Sequence, residues 1–461
     1  MSLSLSRLLP VLLLAFALPV AAAQVVPWGV DMVRAREVWP VTRGEGVNVV
    51  IMDSGVDFAH PDLHDAYAGG TDPLFGDEFP LDFDSHGTPA AGIVAGADNG
   101  FGIVGVAPRA TLWAVKVTVL SPDPLGRTVA QGDSVLRGID WVIAKKRELG
   151  GRWIVNCSFG VPNSPQFADA YARMIAEGIL VVAAAGNHER GQSPIVLYPA
   201  NFPDVLGVGA VDQRRQLAPF SNPGPKISVV APGRNVVSTY SRDQGDVPSV
   251  SANGKIWYGI RVLGYYAPEV RTGEGVLVDC GIGRPEDFPQ DKSGYTAVIR
   301  SSSTLTLNRI GHNAVAAGAG TIVFIYSDFE PQRWTFQSAD DPNAKSFPWP
   351  LTVALNEDDG YELSQSIGAQ AALDDRFGDY GVTSGTSFAS PHVAGVAALL
   401  WSLAPNATAA ELRKAITATA HDMGTPGWDE ATGYGLVDAA AAARYLAPEK
   451  FPLSGRRVLK H

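Results

Sequence analysis

Three short segments of this 461-residue chain carry residue types that together can cleave a peptide bond. They are Asp53-Ser-Gly55, Asp84-Ser-His-Gly-Thr88 and Gly385-Thr-Ser-Phe-Ala-Ser-Pro-His392. Peptide hydrolysis needs a nucleophile, a base with a near-neutral pKa and a group that holds the base in one tautomer. Ser387, His86 and Asp53 can fill these three roles. Each segment alone is weak evidence for catalysis. Their order along the chain, Asp, His, Ser, is that of one of the known catalytic triads.

Two further features favour the stabilisation of negative charge near Ser387. Asn187 follows a predicted buried strand in Ala183-Ala-Ala-Gly-Asn187, and its amide can donate to an oxyanion. Ser387 begins a predicted helix that runs to Leu403, and a helix N-terminus directs N–H groups and partial positive charge towards the nucleophile. We expect Pro391 in the first turn of this helix, where a missing N–H costs little.

Apolar runs alternate with helical patterns through the first half of the chain. Val47–Met52 and Thr111–Val117 have the composition of buried strands, and Ser134–Leu149 has apolar residues at helical spacing. This alternation predicts an α/β fold with a doubly wound, mostly parallel sheet. Catalytic groups then belong in loops at the carboxyl ends of the strands.

The alternation stops near Asp243 and resumes near Asp379. Between these points the helical patterns nearly vanish, apart from one predicted helix at Leu305–Ala317, and short apolar segments recur. The simplest explanation is a smaller β-rich domain inserted into a loop of the α/β domain.

The N-terminus has the pattern of a secretory signal peptide: Arg7, an apolar run at Leu8–Val20 and small residues at Ala21–Ala23. The apolar run falls short of the roughly 20 residues that span a bilayer. We therefore expect an exported protein, extracellular or periplasmic, without membrane contact after cleavage. The net charge of −11 offers no basic face for a nucleic acid. Two free thiols are expected at Cys157 and Cys280, a single bridge being the alternative.

These motifs resemble those of the subtilisin family of serine peptidases, over about residues 24–240 and 379–446. Asn156-Cys-Ser-Phe-Gly160 and the continuation of the Ser387 segment to Gly395 belong to the resemblance. It implies a secreted endopeptidase that hydrolyses proteins or peptides through an acyl-enzyme, with Asn187 at the oxyanion. It also implies an S1 pocket for an uncharged, apolar side chain. The expected substrate-binding residues are Ser158, Phe159, Gly160, Ala184, Ala185 and Gly186.

The predicted insert resembles protease-associated domains at Tyr295–Arg300 and Asn313–Gly320. Such domains are inserted here in many larger subtilisin-like enzymes and are credited with substrate recruitment or access control. The predicted organisation is a signal peptide (1–23), a peptidase domain in two parts (24–242 and 379–446), the inserted domain (243–378) and a tail (447–461).

The resemblance also implies a structural Ca²⁺ ion. The loop Asn99-Gly-Phe-Gly-Ile103, expected to interrupt the helix after His86, lies where the family has a calcium loop. Calcium takes six to eight oxygen ligands. The implied ligands are the side chains of Gln24, Asp62 and Asn99 and the carbonyls of Ala97, Phe101 and Ile103. Gln24 would be the first residue after signal cleavage, which leaves no room for the folded propeptide usual in the family.

Three other functions compete with this prediction. A catalytically silent binding module of the same fold is disfavoured by the complete set of catalytic residue types. An acid peptidase that shares Gly-Thr-Ser but uses Glu as its base is disfavoured by His86. A nucleotide-binding protein is disfavoured because Gly44-Glu-Gly46 precedes the first strand instead of following it.

Overall fold

The computed structural model describes residues 24–120, 128–188, 194–242, 245–246, 248–261, 272–302, 304–326, 349–375 and 377–451. The predicted signal peptide and the last ten residues of the predicted tail lie outside the described residues.

The first part of the chain contains most of a parallel sheet and the helices that cover it. Its strands are β1 (Val47–Asp53), β2 (Tyr67–Thr71), β3 (Thr111–Lys116), β4 (Thr118–Leu120), β5 (Thr128–Ala130), β6 (Arg152–Cys157), β7 (Leu180–Ala184), β8 (Leu206–Val211), β9 (Ile227–Pro232) and β10 (Val236–Thr239). Its helices are α1 (Trp28–Met32), α2 (Gly87–Ala95), α3 (Gly132–Leu149) and α4 (Pro165–Ala176), with a 3₁₀ turn at Ala35–Glu37. In the described residues, the order of the main sheet is β2-β3-β1-β6-β7-β8-β9, and all its pairs are parallel.

Strand β1 shows why this sheet is covered on both faces. Successive side chains of a strand point to opposite faces. Val49 and Ile51 pack into one hydrophobic cluster with α2 and the helix after Gly385, whereas Val50 and Met52 pack into a second cluster with α3 and α4. Both faces are buried, and the predicted doubly wound α/β fold is confirmed.

The last part of the chain returns to the parallel sheet. Strand β21 (Tyr380–Thr383) pairs with β10 and leads directly into α7 (Thr386–Leu403), which packs against α2 and the central strands. Helices α8 (Ala409–Ala418) and α9 (Ala439–Leu446) follow.

Between β10 and β21, the described residues form a second sheet with its own hydrophobic clusters. Its order is β13-β12-β19-β15-β16-β17-β18-β14, with two more short strands pairing beside it. The elements of this segment are β11 (Gly245–Asp246), β12 (Ser249–Ala252), β13 (Lys255–Tyr258), β14 (Ile260–Arg261), β15 (Thr272–Asp279), β16 (Tyr295–Arg300), α5 (Leu307–Ala316), β17 (Ala319–Tyr326), β18 (Leu351–Asn356), α6 (Glu357–Ser364), β19 (Gln370–Asp374) and β20 (Phe377–Gly378), with a 3₁₀ turn at Pro285–Asp287.

Helix α6 was not expected from the sequence. Its eight residues are too few and too polar to show an apolar period. Asn356 caps it by accepting a hydrogen bond from the Asp359 N–H at 3.0 Å, and acidic residues fill its first turn. Both features are typical of a helix N-terminus, so the capping residue was the one local indication of this helix in the sequence.

Cys157 and Cys280 are free and buried. Burial raises the pKa of each thiol to about 12, so both behave as apolar core residues. Within the described ranges, no helix is long and apolar enough to cross a membrane.

Candidate active site

Asp53 and His86 form a hydrogen-bonded pair at the carboxyl end of the parallel sheet. Asp53 is the last residue of β1 and is fully buried, and His86 caps the N-terminus of α2. His86 Nδ1 lies 2.7 Å from Asp53 Oδ1, which also accepts the Ser54 N–H at 2.7 Å. An ionised carboxylate can only accept, so Nδ1 carries the proton and Nε2 is left free to take one.

The surrounding charges favour protonation of His86. Burial by itself would lower the pKa of the imidazole. The charge and hydrogen bond of Asp53, with the charges of Asp82 and Asp84, outweigh burial and raise the pKa of His86 above its usual value. The base is therefore stabilised in the protonated form that follows proton transfer.

Asp82 is a second buried carboxylate, and it was not expected from the sequence. Its Oδ1 accepts from Ser54 Oγ and from the N–H groups of Asp84 and Ser85, and its Oδ2 accepts from the N–H and hydroxyl of Thr88, all at 2.6–3.0 Å. These bonds tie the residue after Asp53 to both sides of His86. The position four residues before His86 was visible in the sequence, but nothing local indicated its burial.

Ser387 is the second residue of α7, directly before Phe388, which packs against the imidazole. The ring of its neighbour Phe388 is 5.3 Å from that of His86, measured between centroids. The Ser387 hydroxyl donates to the carbonyl of Ser158 at 3.1 Å. It must therefore turn towards His86 before its proton can transfer, as is common in substrate-free sites.

The expected position of Pro391 is wrong. Because α7 begins at Thr386, Pro391 is its sixth residue and lies inside the helix. A proline there leaves the carbonyl four residues earlier, that of Ser387, without its helical donor. The Ser158 hydroxyl replaces that donor at 2.7 Å, so each of Ser158 and Ser387 donates to the backbone carbonyl of the other.

The Asn187 side chain is oriented by the start of α7. Its Oδ1 accepts both the N–H and the hydroxyl of Thr386, at 2.9 and 3.0 Å. The carbonyl end of the amide is thereby used, and its NH₂ end remains as a donor next to Ser387. That is the orientation an oxyanion donor requires.

The expected substrate-binding segments follow the adjacent strands β6 and β7. Ser158–Gly160 and Ala184–Gly186 both leave the sheet close to Ser387. Phe159, Ala184 and Ala185 are buried, and Gly160 is exposed. Because β6 and β7 are parallel neighbours, the two segments leave the sheet side by side next to the nucleophile, where the resemblance places the two walls of the S1 pocket.

Four of the expected calcium ligands are hydrogen-bonded in two pairs at the other end of α2. Gln24 Nε2 donates to the carbonyl of Ala97 at 2.6 Å, and Asn99 Nδ2 donates to Asp62 Oδ1 at 2.9 Å. Asp62 Oδ2 accepts the N–H of Ile103 at 2.9 Å. The exposed side chain of Phe101 belongs to the same loop.

One detail of that expectation is wrong. Helix α2 ends at Ala95, so the loop follows the helix and does not interrupt it. Within the described ranges, no cluster of three or more His, Cys, Asp or Glu residues is placed to hold a metal ion.

Comparisons with known proteins agree with this geometry. Residues 44–259 and 360–435, more than half of the chain, match the subtilase family. The intracellular serine protease of Paenibacillus polymyxa is 38% identical over 221 residues, 46% of this chain and 64% of the relative. The major intracellular serine protease of Bacillus subtilis is 36% identical over 46% of this chain and 66% of the relative. The matched region is thus less than two thirds of either relative.

Two further comparisons extend the likeness. Subtilisin DY of Bacillus licheniformis is 38% identical over 47% of this chain and 76% of its own length. The crystal structure of the psychrophilic subtilisin-like protease Apa1 from Pseudoalteromonas sp. AS-11 has a TM-score of 0.72 and 26% identity, and the match covers 92% of this chain and 99% of that one. The family match, the fold and the arrangement of Asp53, His86 and Ser387 agree, and the chain belongs to the subtilase family of serine peptidases.

Proposed function

We propose that this protein is a secreted serine endopeptidase that cleaves peptide bonds of proteins through Asp53, His86 and Ser387. The observation that carries the proposal is the 2.7 Å bond between Asp53 and the Nδ1 of His86, beside the nucleophile at the start of α7. It leaves Nε2 as the acceptor for the Ser387 proton.

The reaction then proceeds in two halves. Ser387 Oγ attacks the substrate carbonyl while its proton moves to His86 Nε2, and the oxyanion accepts a hydrogen bond from Asn187 Nδ2. The C–N bond breaks, the amine takes the proton from His86, and an acyl-enzyme on Ser387 remains. Water, deprotonated by His86, attacks the ester and releases Ser387 with its proton restored.

Covalent labelling tests the proposal. The purified protein should hydrolyse casein at neutral to alkaline pH and react with a fluorophosphonate probe, and Ser387→Ala should abolish both. Ser384→Ala is the matched control, since Ser384 lies three residues before Ser387, outside α7, and accepts a hydrogen bond from the Asn235 N–H at 2.9 Å. A wild-type protein with neither activity, at several pH values and with calcium present, would leave a binding module of the same fold as the explanation.

Secretion is part of the proposal, although two relatives are named intracellular. The signal pattern supports it, and so do the contacts that attach Gln24 and Val25 to the domain. Gln24 donates to Ala97, and Val25 forms a β-bridge with Ile103. Expression in a secreting host should give an extracellular protein whose first residue is Gln24. Retention of an intact N-terminus inside the cell would contradict it.

Subtilases commonly bind structural calcium, and the residues at the end of α2 suit such an ion. Asp62 is a fully buried carboxylate, and the amides of Gln24 and Asn99 face it and the Ala97 carbonyl. Turning either amide about its last bond would exchange its N–H for an oxygen directed at the same point. The chain would hold Ca²⁺ with these groups and the carbonyls of Phe101 and Ile103, and the ion would fix the N-terminal residues on the domain.

The segment 243–378 is proposed to be an inserted protease-associated-like domain that recruits protein substrates. Eight of its described strands join in one sheet with separate hydrophobic clusters, and the family match omits residues 260–359. Ile256 lies on the edge strand β13 and is 47% exposed. Ile256→Asp should reduce cleavage of casein and leave cleavage of a tetrapeptide unchanged. Equal rates on casein would remove the support for recruitment through this edge.

A further inference from the structure

Leu197 lies between the two segments that wall the space beside Ser387. Its N–H donates to the carbonyl of Ala185 at 2.9 Å, and the carbonyl of the next residue, Tyr198, accepts from the Val161 N–H at 2.7 Å. The backbone around Leu197 therefore joins one wall to the other. It closes the space at the end away from the nucleophile.

The Leu197 side chain points into this space and packs on a glycine of each wall. A Cβ atom added to Gly186 would lie 2.6 Å from Leu197 Cγ, and one added to Gly160 would lie 3.1 Å from Leu197 Cδ1. Such distances mean that the isobutyl group already touches both α-carbons. Leu197 is partly exposed, so one side of it faces the open part of the space.

The mouth of the same space is at the nucleophile. Ser387 Oγ is 3.1 Å from the carbonyl of Ser158 on one wall, and the hydroxyl of Thr386 donates to Asn187 at 3.0 Å beyond the other. A substrate whose carbonyl carbon meets Ser387 must place the adjoining side chain between these walls. Its depth of entry is then limited by whatever closes the far end.

We infer that Leu197 is a specificity-determining residue, which shortens the S1 pocket and selects small P1 side chains: glycine, alanine and serine. The inference rests on the proposed peptidase function and names its substrate class. An aromatic or long aliphatic P1 side chain would need the volume that the isobutyl group fills. Extra atoms in a well-packed site force strain on its side chains, and one extra or missing methylene group in an apolar pocket changes kcat/KM by about 10- to 200-fold.

Peptide p-nitroanilides that differ only at P1 test this inference. The wild-type protein should cleave the substrate with alanine at P1 at least about tenfold better, in kcat/KM, than the one with phenylalanine. Leu197→Ala should raise kcat/KM for phenylalanine by about tenfold or more and change that for alanine little. Ile195→Ala is the matched control, because Ile195 lies two residues away and its side chain is 65% exposed. It should keep the wild-type ratio.

Fluorophosphonate labelling of all three proteins accompanies these rates and shows that each active site is folded. A wild-type preference for phenylalanine, or an unchanged ratio in a labelled Leu197→Ala protein, would overturn the role of Leu197 and leave the peptidase function standing. Failure of the wild-type protein to label or to cleave any of the peptides would overturn the proposed function, and the inference with it. Cleavage of a proteome-derived peptide library after small residues would support both.

Discussion

The two ends of helix α2 each hold a buried aspartate, but the two carboxylates are bound in different ways. Before the helix, Asp82 accepts its hydrogen bonds from three backbone N–H groups and from hydroxyls on both sides of His86. Near the C-terminal end of the helix, the Asp62 carboxylate accepts hydrogen bonds from one backbone N–H, from the Asn99 amide and from the Tyr380 hydroxyl.

The difference separates a fixed network from an adaptable one. Backbone N–H groups cannot become cation ligands, so the hydrogen bonds to Asp82 have one arrangement. That arrangement fixes the backbone on both sides of His86. The side-chain amides around Asp62 can present oxygen instead, and the C-terminal end of a helix carries partial negative charge that favours a cation. One end of α2 is therefore suited to catalysis and the other to binding an ion that stabilises the fold.

The largest effect is expected from His86→Ala. Loss of the base should lower kcat/KM by about a hundredfold to ten-thousandfold, because general-base catalysis contributes about 10²- to 10⁴-fold. The calcium response of the melting temperature should stay as in the wild type, since the ion is proposed to bind at the opposite end of α2. Loss of that response would show that the two ends are not independent.

Asp82→Asn should lower kcat by about 10- to 100-fold, since misplacing a catalytic group by about 1 Å can cost 10²-fold. In the wild-type protein, hydrogen-bond donors contact both carboxylate oxygens of Asp82, whereas an asparagine side chain offers one acceptor oxygen. The backbone on both sides of His86 therefore loses part of its hydrogen bonding. Removal of a negative charge also lowers the pKa of His86, and the acid limb of the pH–rate profile should move to lower pH.

Asp84→Asn is the matched control for that change. Asp84 also raises the pKa of His86 by its charge, but it bonds to Asp82 through its backbone N–H, which the substitution keeps. It should move the acid limb in the same direction with little loss of maximal rate. An equal loss of kcat in both variants would mean that charge, and not positioning, explains Asp82.

Asp62→Ala should abolish the stabilisation by calcium and leave kcat near the wild-type value at low temperature. An ion that binds only the folded state stabilises it by about 2.7 kcal/mol at a hundredfold excess over its Kd. Melting with calcium and with EGTA measures this, and Asp65→Ala, with an exposed carboxylate beside His64, is the control. A melting temperature of the wild-type protein that calcium does not change would count decisively against the site.

The smallest expected effect concerns peroxide. Phe388 packs beside His86, where a methionine would be oxidised to a bulkier polar sulfoxide. The wild-type protein should keep most of its activity after peroxide treatment, and Phe388→Met should lose it. Equal sensitivity of the two proteins would show that this position does not control oxidation.

The sequence by itself determined the central strands β1 and β3, the long helices α3 and α7 and the chemistry open to Asp53, His86 and Ser387. Each of these depends on a local pattern: apolar runs for strands, apolar residues at helical spacing for helices, and short motifs for the catalytic groups. Helix α6 was missed because a short polar helix shows little of such a pattern.

Only the tertiary structure decided the roles of Asp82, Ser158 and Leu197. The Ser158 hydroxyl donates to the carbonyl of Ser387, which is 229 positions away in the sequence. The Leu197 side chain packs against two glycines that lie on different segments. The position of Pro391 inside α7 is tolerated through the same bond from Ser158. A hydrogen bond or a packing contact between distant residues depends on where folded elements meet. The periodicity of apolar residues along the chain predicts the elements but not which of them come into contact.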